Sequence, residues 1–217
     1  MNYAAQNKRI QNACMYILEC HDIMMLHALQ NEFGFGRTRL KRALSESAKL
    51  VHEYETYYSD EQYSDEREET VSYMRTAYYG AAGDLKASTG LDFLNLAAEF
   101  PLKLPPLRTF SGKSGKQNPD ARERRKTLAY MDFITNVADV MLLLYMHQDE
   151  HFGAERLRRL YTAVRTEWLD FAKAFMRDRS QTEWHDRLVD ELKQRGVDLQ
   201  KLYDEIAKDL ENAKRPD

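Results

Sequence analysis

The chain has 217 residues, of which 43% are hydrophobic and 31% charged, and its formal net charge is −3 at pH 7. This balance excludes an intrinsically disordered chain and gives no overall attraction to nucleic acid or to anionic membranes. Residues 1–12 are polar, and the longest apolar run, residues 137–146, is shorter than a membrane span and contains Asp139. The sequence therefore predicts a cytoplasmic protein with no membrane partner.

Two segments of the chain, residues 14–44 and residues 131–161, align without a gap at a separation of 117 positions. Nine of the 31 aligned positions are identical, whereas ordinary residue usage would give roughly two by chance. We therefore predict that one helical unit is used twice. The identical pairs are Ile17/Ile134, Asp22/Asp139, Met24/Met141, Leu26/Leu143, Phe35/Phe152, Gly36/Gly153, Arg39/Arg156, Leu40/Leu157 and Arg42/Arg159.

The first predicted helix of each unit lies at about residues 7–32 and 126–150. Both segments are apolar around most of their circumference, so we expect them to form the buried centre of the fold. Each ends at an aromatic–glycine corner, where Gly36 and Gly153 are expected to take the left-handed conformation that closes a helix. A second helix follows each corner.

Long segments poor in glycine and proline continue to the end of each unit and predict an all-α fold with about four helices per unit. The last short helices, at 91–99 and 197–212, follow an Asp-Leu-Lys segment at residues 84–86 and a Glu-Leu-Lys segment at residues 191–193. We expect the two units to pack through their first helices about a pseudo-twofold axis.

A linker, residues 100–126, is predicted between the units, which span residues 7–99 and 127–213. Residues 101–127 contain four prolines, two glycines and eight lysines or arginines, against two acids. Such a composition cannot bury a core and predicts an extended or partly disordered segment. It is interpreted as a solvated tether, with contact to nucleic acid as the alternative.

Residues 53–69, here called the acidic tyrosine segment, have the opposite charge, with eight acids, one arginine and four interleaved tyrosines. Carboxylates spaced among aromatic rings can imitate the phosphates and bases of a nucleic acid, and tyrosine is favoured at protein interfaces. A solvated helix face with tyrosines turned to the core is the alternative. The predicted partner-binding residues are Glu53, Tyr57, Tyr58, Glu61, Tyr63, Asp65, Glu66 and Glu69.

Each corner is followed by a cluster of arginines at the start of the second helix. Backbone amides at a helix N-terminus and nearby guanidinium groups suit an anion. The alternative is a structural clasp in which Glu32 and Asp149 neutralise Arg39 and Arg156 across the same corner. Direct nucleic-acid binding through the corners and the linker would use Arg37, Arg39, Arg42, Arg122, Arg124, Arg125, Arg156 and Arg159.

Other residues give weaker chemical signals. His147 and His151 have the i, i+4 spacing of a metal pair, but no third ligand follows by spacing. Asp22 and Asp139 lie in the apolar first helices, where a hydrogen-bonded carboxylate that fixes the helix pairing is favoured over a functional acid. No nucleophile arrangement or phosphate-binding loop is recognisable. The sequence therefore predicts no metal, no cofactor and no enzymatic activity.

The string Leu29-x-x-x-Phe33-Gly34-Phe35-Gly36-x-x-Arg39-Leu40 resembles a helix-corner motif of small uncharacterised proteins of phages and prophages in Gram-positive bacteria. The second unit departs from this motif, with Glu150-His151-Phe152-Gly153 in the matching place. The resemblance implies a mobile-element protein in the cytoplasm of a bacterial host, with partners among phage or host machinery. It implies no particular activity.

These patterns together predict a non-catalytic protein that binds another macromolecule, with a protein as the expected partner. The sharpest version is a phage factor that inhibits a host defence system, or acts on DNA machinery, through the acidic tyrosine segment. The first alternative is direct nucleic-acid binding, and the second is a small-molecule or metal-dependent enzyme built on the central helices. Either a monomer or a homodimer is expected.

Overall fold

The structure, a computed structural model, describes the backbone of residues 3–59, 69–103, 119–177 and 182–213. Side chains are described for residues 16–50, 74–103, 127–175 and 184–209. The described residues contain eight helices and no strand, which confirms the predicted all-α class. The helices are α1 (Tyr3–Phe33), α2 (Arg37–Ser59), α3 (Glu69–Thr89), α4 (Phe93–Glu99), α5 (Pro119–Gln148), α6 (Ala154–Arg177), α7 (Thr182–Gln194) and α8 (Leu199–Ala213).

Helices α1 and α5 form the centre of the bundle, as their apolar sequences predict. Residues 23–29 of α1 and residues 140–146 of α5 are all buried, which is two complete turns in each helix. A helix is buried on every side only when neighbours surround it. The neighbours of α1 are α2, α5, α6 and α7, and those of α5 are α1, α2, α3 and α6.

The helices of the two predicted units interleave around one core. Helix α6 of the second unit packs against α1 of the first, and α2 of the first packs against α5 of the second. A single cluster of buried side chains includes residues of all the helices. The described helices therefore assemble as one body, while the origin of the two units by duplication stays a prediction.

The predicted linker ends earlier than the sequence suggested. Helix α5 begins at Pro119, so residues 119–126 are helical rather than part of an extended tether. Proline is favoured in the first turn of a helix, where its missing N–H needs no partner, and the following Ala, Arg, Glu and Lys residues are good helix formers. Residues 104–118 lie outside the described part of the chain.

Residues Thr127–Gln148 of α5 have the length and apolar composition of a membrane-spanning helix. The most apolar window of this stretch is 61% buried inside the bundle. More than half of this window is therefore covered by the neighbouring helices, as expected for a helix at the centre of a bundle.

Candidate functional site

The two helix corners have the same local geometry at positions 117 residues apart. At the end of α1 the N–H of Phe35 donates to the carbonyl of Leu29 at 3.2 Å, and at the end of α5 the N–H of Phe152 donates to that of Met146 at 2.9 Å. This hydrogen bond over six residues closes a helix when the residue before the donor is left-handed.

The left-handed residues are not the glycines that the sequence indicated. Gly34 has a φ of 65° and His151 a φ of 55°, whereas Gly36 and Gly153 are not among the positive-φ residues. The carbonyls of Gly36 and Gly153 instead accept the first hydrogen bond of α2 and of α6, each at 3.1 Å. These two glycines are therefore N-terminal caps, and the prediction of a left-handed conformation there is wrong because the turn begins two residues earlier.

An arginine stacks on a buried phenylalanine in each corner. The guanidinium of Arg39 lies 3.6 Å from the ring centroid of Phe35, and that of Arg156 lies 3.7 Å from the ring centroid of Phe152. The two rings contact each other edge to face, with centroids 6.1 Å apart. The corners therefore meet, and each guanidinium gains a cation–π contact.

The ion pairs of the corners cross from one predicted unit to the other. Arg39 Nη2 lies 2.6 Å from Glu150 Oε2, and Arg42 contacts Oε1 of the same carboxylate. Arg159 Nε donates to Glu32 Oε2 at 2.9 Å. We call this set the corner clasp. Burial alone would raise the pKa of the Glu150 carboxyl, but hydrogen bonds from Arg42 and Arg39 hold it below its ordinary value.

The predicted pairing of Glu32 and Asp149 with Arg39 and Arg156 across the same corner is therefore wrong in its partners. Glu32 binds Arg159, and Glu150 takes the place expected for Asp149. The physical reason is the packing of α6 on α1 and of α2 on α5. Each second helix consequently presents its arginines to the end of the other unit's first helix.

The fold brings the described corner arginines to the same end of the molecule, where carboxylates of the chain already engage most of them. In addition to the corner clasp, Arg37 Nη2 lies 2.5 Å from Glu205 Oε1. Arg156 rests on the rings of Phe152 and Phe33. The geometry is that of a structural clasp, which leaves less positive charge for an external anion. Arg122, Arg124 and Arg125 lie on α5, but their side chains are outside the described residues.

The side chains of the acidic tyrosine segment also lie outside the described residues. The backbone places Glu53, Tyr57 and Tyr58 near the end of α2, and Glu69 is the first residue of α3. The remaining predicted partner-binding residues, Glu61, Tyr63, Asp65 and Glu66, fall between these helices, outside the described backbone.

The two acids predicted within the first helices connect different helices. His21 Nε2 lies 2.9 Å from Asp139 Oδ1, and each of the two side chains is 3% exposed. The hydroxyl of Tyr203 on α8 donates to Asp22 Oδ2 at 3.2 Å. Burial would lower the pKa of His21, yet the hydrogen bond and charge of Asp139 raise it, whereas burial raises the pKa of Asp22 to about 6. Both carboxylates thus fix helix pairing, as favoured from the sequence.

A buried arginine that the sequence analysis did not single out joins α6, α5 and the end of α4. The Arg165 side chain is 2% exposed, and its Nη2 lies 2.7 Å from Asp132 Oδ1. Its Nε and Nη2 also donate to the carbonyl of Phe100, at 3.3 and 3.1 Å. Arg165 follows Tyr161 by four positions and precedes Trp168 by three, so a charge inside the apolar stripe of α6 was the available signal.

The two histidines of the predicted pair, His147 and His151, have different surroundings. His147 Nδ1 lies 3.1 Å from the carbonyl oxygen of Phe152, within the second corner. His151 is exposed and is the left-handed residue of that corner. Within the described part of the chain, no group of three His, Cys, Asp or Glu side chains is placed to hold a metal ion.

An open groove of about 580 Å³ runs along the surface between α1 and α6, which are in contact. His27 lies at one end, with Nε2 2.8 Å from Glu191 Oε2 of α7 and Nδ1 3.7 Å from Glu167 Oε1. The small side chains Ala28 and Ala163 lie between the helices. The equivalent helix pair, α2 and α5, is covered by α3, whose buried Ala77, Ala81 and Ala82 allow close approach. The lining side chains of the groove are His27, Ala28, Asn31, Glu32, Glu155, Arg158, Arg159, Thr162, Ala163, Thr166 and Glu167.

Comparison of the chain with protein-family models, with curated proteins and with solved structures found no match.

Proposed function

We propose that this chain is a non-catalytic protein that binds another macromolecule, and that this partner is a protein. The observation that carries the proposal is the engagement of Arg39 and Arg42 by the 6%-exposed carboxylate of Glu150. These two arginines are used for holding the fold together. This favours a partner recognised by the acidic tyrosine segment over a nucleic acid bound at the corners.

The backbone around the acidic tyrosine segment suits presentation of a binding surface. Helix α2, which ends at Ser59, and helix α3, which begins at Glu69, pack against each other and against the central helix α5. Residues 60–68 are therefore joined at both ends to helices that pack in the bundle. An interface with anchored ends loses less conformational entropy on binding than one on a free tail.

The polar groups of the interior support the same interpretation. His21 binds Asp139 and Arg165 binds Asp132, so each of these charged groups joins two helices. Buried pairs of this kind are strongly destabilising to break, which suits a role in assembling the bundle. The specific version that we propose is a phage- or prophage-encoded factor that acts on host defence or DNA machinery. Its carboxylates and tyrosines imitate a nucleic acid and occupy the nucleic-acid-binding surface of the partner.

The test is comparative capture of proteins from a bacterial lysate by two charge-reversed variants. One variant has Glu61, Asp65, Glu66 and Glu69 changed to lysine. The control has the same number of reversals at exposed acids elsewhere, Asp149, Asp186, Asp190 and Asp204. We expect the first variant alone to lose the captured partner while its thermal melt stays close to that of the wild type. The proposal would be contradicted if the first variant captured the partner as well as the control variant does.

Direct nucleic-acid binding stays the second candidate, because the fold does bring five arginines to one end of the molecule. Binding through phosphate contacts falls steeply with salt concentration. A gel shift of duplex DNA or RNA at low salt that disappears as salt rises, and that is lost in Arg156→Ala, would favour this candidate. An absence of any shift at low salt would remove it.

A further inference from the structure

The two corners differ at the place where the first corner holds a carboxylate. Arg39, stacked on Phe35, donates to Glu150 Oε2 through Nε at 3.1 Å and through Nη2 at 2.6 Å. The position that corresponds to Glu150 in the other predicted unit, 117 residues earlier, is Phe33. Phenylalanine has no oxygen to accept a hydrogen bond, so this position supplies no partner for the arginine of the second corner.

Arg156 therefore keeps the stacking contact of this arrangement without the ion pair. Its guanidinium carbon lies 3.7 Å from the ring centroid of Phe152, close to the 3.6 Å between Arg39 and Phe35. The ring centroid of Phe33 is 5.7 Å from the same carbon, so this side chain adjoins Arg156. Within the described residues, Arg156 has no carboxylate at ion-pair distance, whereas every other arginine of the two corners has one.

The Arg156 side chain is exposed to solvent but ordered by its aromatic neighbours. Stacking on a ring engages the flat face of a guanidinium. The N–H groups along its edge stay suited to the two oxygens of a carboxylate. A side chain that is already ordered loses less conformational entropy on binding. Arg156 is therefore prepared for a carboxylate in the same way as Arg39.

The surroundings of Arg156 favour a single carboxylate over the successive phosphates of a nucleic acid. Glu155 is exposed and directly precedes Arg156, and the exposed Glu32 binds Arg159 on the next turn of α6. Repulsion from these acids grows with the charge of the ligand. Duplex DNA carries one negative charge for about every 1.7 Å of its axis, whereas one glutamate or aspartate of a peptide carries a single charge.

We propose that Arg156 binds a carboxylate of a partner protein, at a site equivalent to the internal one where Arg39 holds Glu150. The carboxylate lies at the guanidinium edge, and the Phe33 ring offers apolar surface to the methylene groups that carry it. The contact involves neither the acidic tyrosine segment nor the ion pairs of the corner clasp. It therefore goes beyond the proposed function and does not depend on it.

The test is an NMR titration of the full chain with a capped tripeptide that contains one glutamate. We expect saturable shifts of the Arg156 Nε–Hε signal and of the backbone amides of Gly153 and Leu157, and none with the glutamine analogue. Arg156→Ala and Arg156→Lys should weaken binding at least about tenfold, since an ammonium lacks the planar edge. Arg75→Ala, which removes an exposed arginine of α3, should change the dissociation constant by less than about threefold.

A second pair of variants fills the site from within the chain. Phe33→Glu places a carboxylate at the position equivalent to Glu150 and should weaken peptide binding at least about tenfold. Phe33→Gln loses the same ring without adding a charge and should stay within about threefold of the wild type. Equal binding by these two variants, or unchanged binding by Arg156→Ala, would overturn the proposal. A short DNA duplex that shifts the same signals, with the effect lost in Arg156→Ala, would also overturn it, because the ligand would then be a nucleic acid.

Discussion

Arg159 of α6 is held by Glu32 at the end of α1, with 2.9 Å between Nε and Oε2. Arg42, which occupies the matching position of α2, contacts Glu150 just beyond the end of α5. Each predicted unit therefore contributes an arginine to the end of the other unit's central helix. The two corners and their phenylalanine rings form the junction at which α1, α2, α5 and α6 meet.

Removal of the shared carboxylate should weaken this junction. We expect Glu150→Gln to lower the free energy of unfolding by about 1–2 kcal/mol, because Glu150 is 6% exposed and accepts hydrogen bonds from two arginines. Glu32→Gln should cost about 0.5 kcal/mol, since Glu32 is 43% exposed. Urea unfolding measures both. No loss in Glu150→Gln would show that the corner clasp is not stabilising, and equal losses would show that the burial of Glu150 does not increase its contribution.

Because the pKa of Glu150 is lowered, the stability difference between the wild type and Glu150→Gln should depend on pH. A carboxyl whose pKa is lower in the folded state than in the unfolded state contributes stability above its unfolded pKa. This contribution is lost as the pH falls through the folded pKa. The difference between wild type and Glu150→Gln should therefore be full at pH 7 and should shrink below the ordinary glutamate pKa of 4.5.

Gly34 and His151 are the left-handed residues of the two corners, and substitutions at these two positions should change stability in opposite directions. His151→Gly should stabilise the protein by about 0.5–1 kcal/mol, because glycine adopts a positive φ without steric cost. Gly34→Ala should destabilise it by about 1 kcal/mol for the same reason. Thermal unfolding measures both changes. A loss of stability in His151→Gly would mean that its imidazole contributes more than the backbone conformation costs.

Gly36→Ser is the matched control for the corner. Gly36 directly precedes α2 as its N-terminal cap, and a Cβ at this position meets no atom within 4 Å. Serine is a favoured residue at such a cap, so the melting temperature should stay the same or rise. A strong destabilisation would indicate that Gly36, and not Gly34, is the strained position.

The buried carboxyl of Asp22 should make the protein less stable as the pH rises. Burial raises its pKa to about 6, while His21 and the Tyr203 hydroxyl oppose that rise. A raised folded-state pKa contributes stability that is fully present below the unfolded pKa of 3.8 and is lost as the pH rises through about 6.

Asp22→Asn should therefore raise the free energy of unfolding at pH 7.5 by up to about 3 kcal/mol, and by much less at pH 4. The asparagine side chain keeps an acceptor for the Tyr203 hydroxyl. Asp190→Asn, at an exposed position of α7, is the control and should change little. A gain in stability that is the same at both pH values would contradict the raised pKa.

The central helices could be predicted from the sequence because their apolar residues leave almost no polar face, as residues 140–146 illustrate. The pairing of charges could not be predicted in the same way. Spacing along one helix identifies neighbours on that helix, whereas Arg159 and Glu32 meet only because α6 packs on α1. The left-handed residue of the second corner was missed because His151 is not a glycine, and in both corners the turn begins two residues before the glycine that was expected to be left-handed.

The groove between α1 and α6 could not be predicted from sequence patterns either. His27 lies within the apolar run of α1 and gives no sign that Glu191 of α7 is 2.8 Å away. The equivalent helix pair differs, because the buried Ala77, Ala81 and Ala82 belong to α3, which packs on both α2 and α5. Such a difference becomes meaningful only when the neighbouring helices are known.

Arg165 provides a prediction for a residue whose role is purely architectural. Arg165→Met should lower the free energy of unfolding by about 2–4 kcal/mol, because the Asp132 carboxylate and the Phe100 carbonyl lose a buried donor. Lys173→Met on the exposed side of α6 should change it by less than about 0.5 kcal/mol. Chemical denaturation of both variants provides the measurement. Equal effects would show that Arg165 does not link α6 to α4 and α5.

The most direct test of the proposed function is the dissociation constant of a purified, captured partner, measured for both quadruple charge-reversed variants. Reversal of Glu61, Asp65, Glu66 and Glu69 should weaken binding about 100-fold or more, because each attractive contact becomes repulsive. Reversal of Asp149, Asp186, Asp190 and Asp204 should change the constant by less than about threefold. A partner that binds the first variant as tightly as the wild type would contradict recognition through the acidic tyrosine segment.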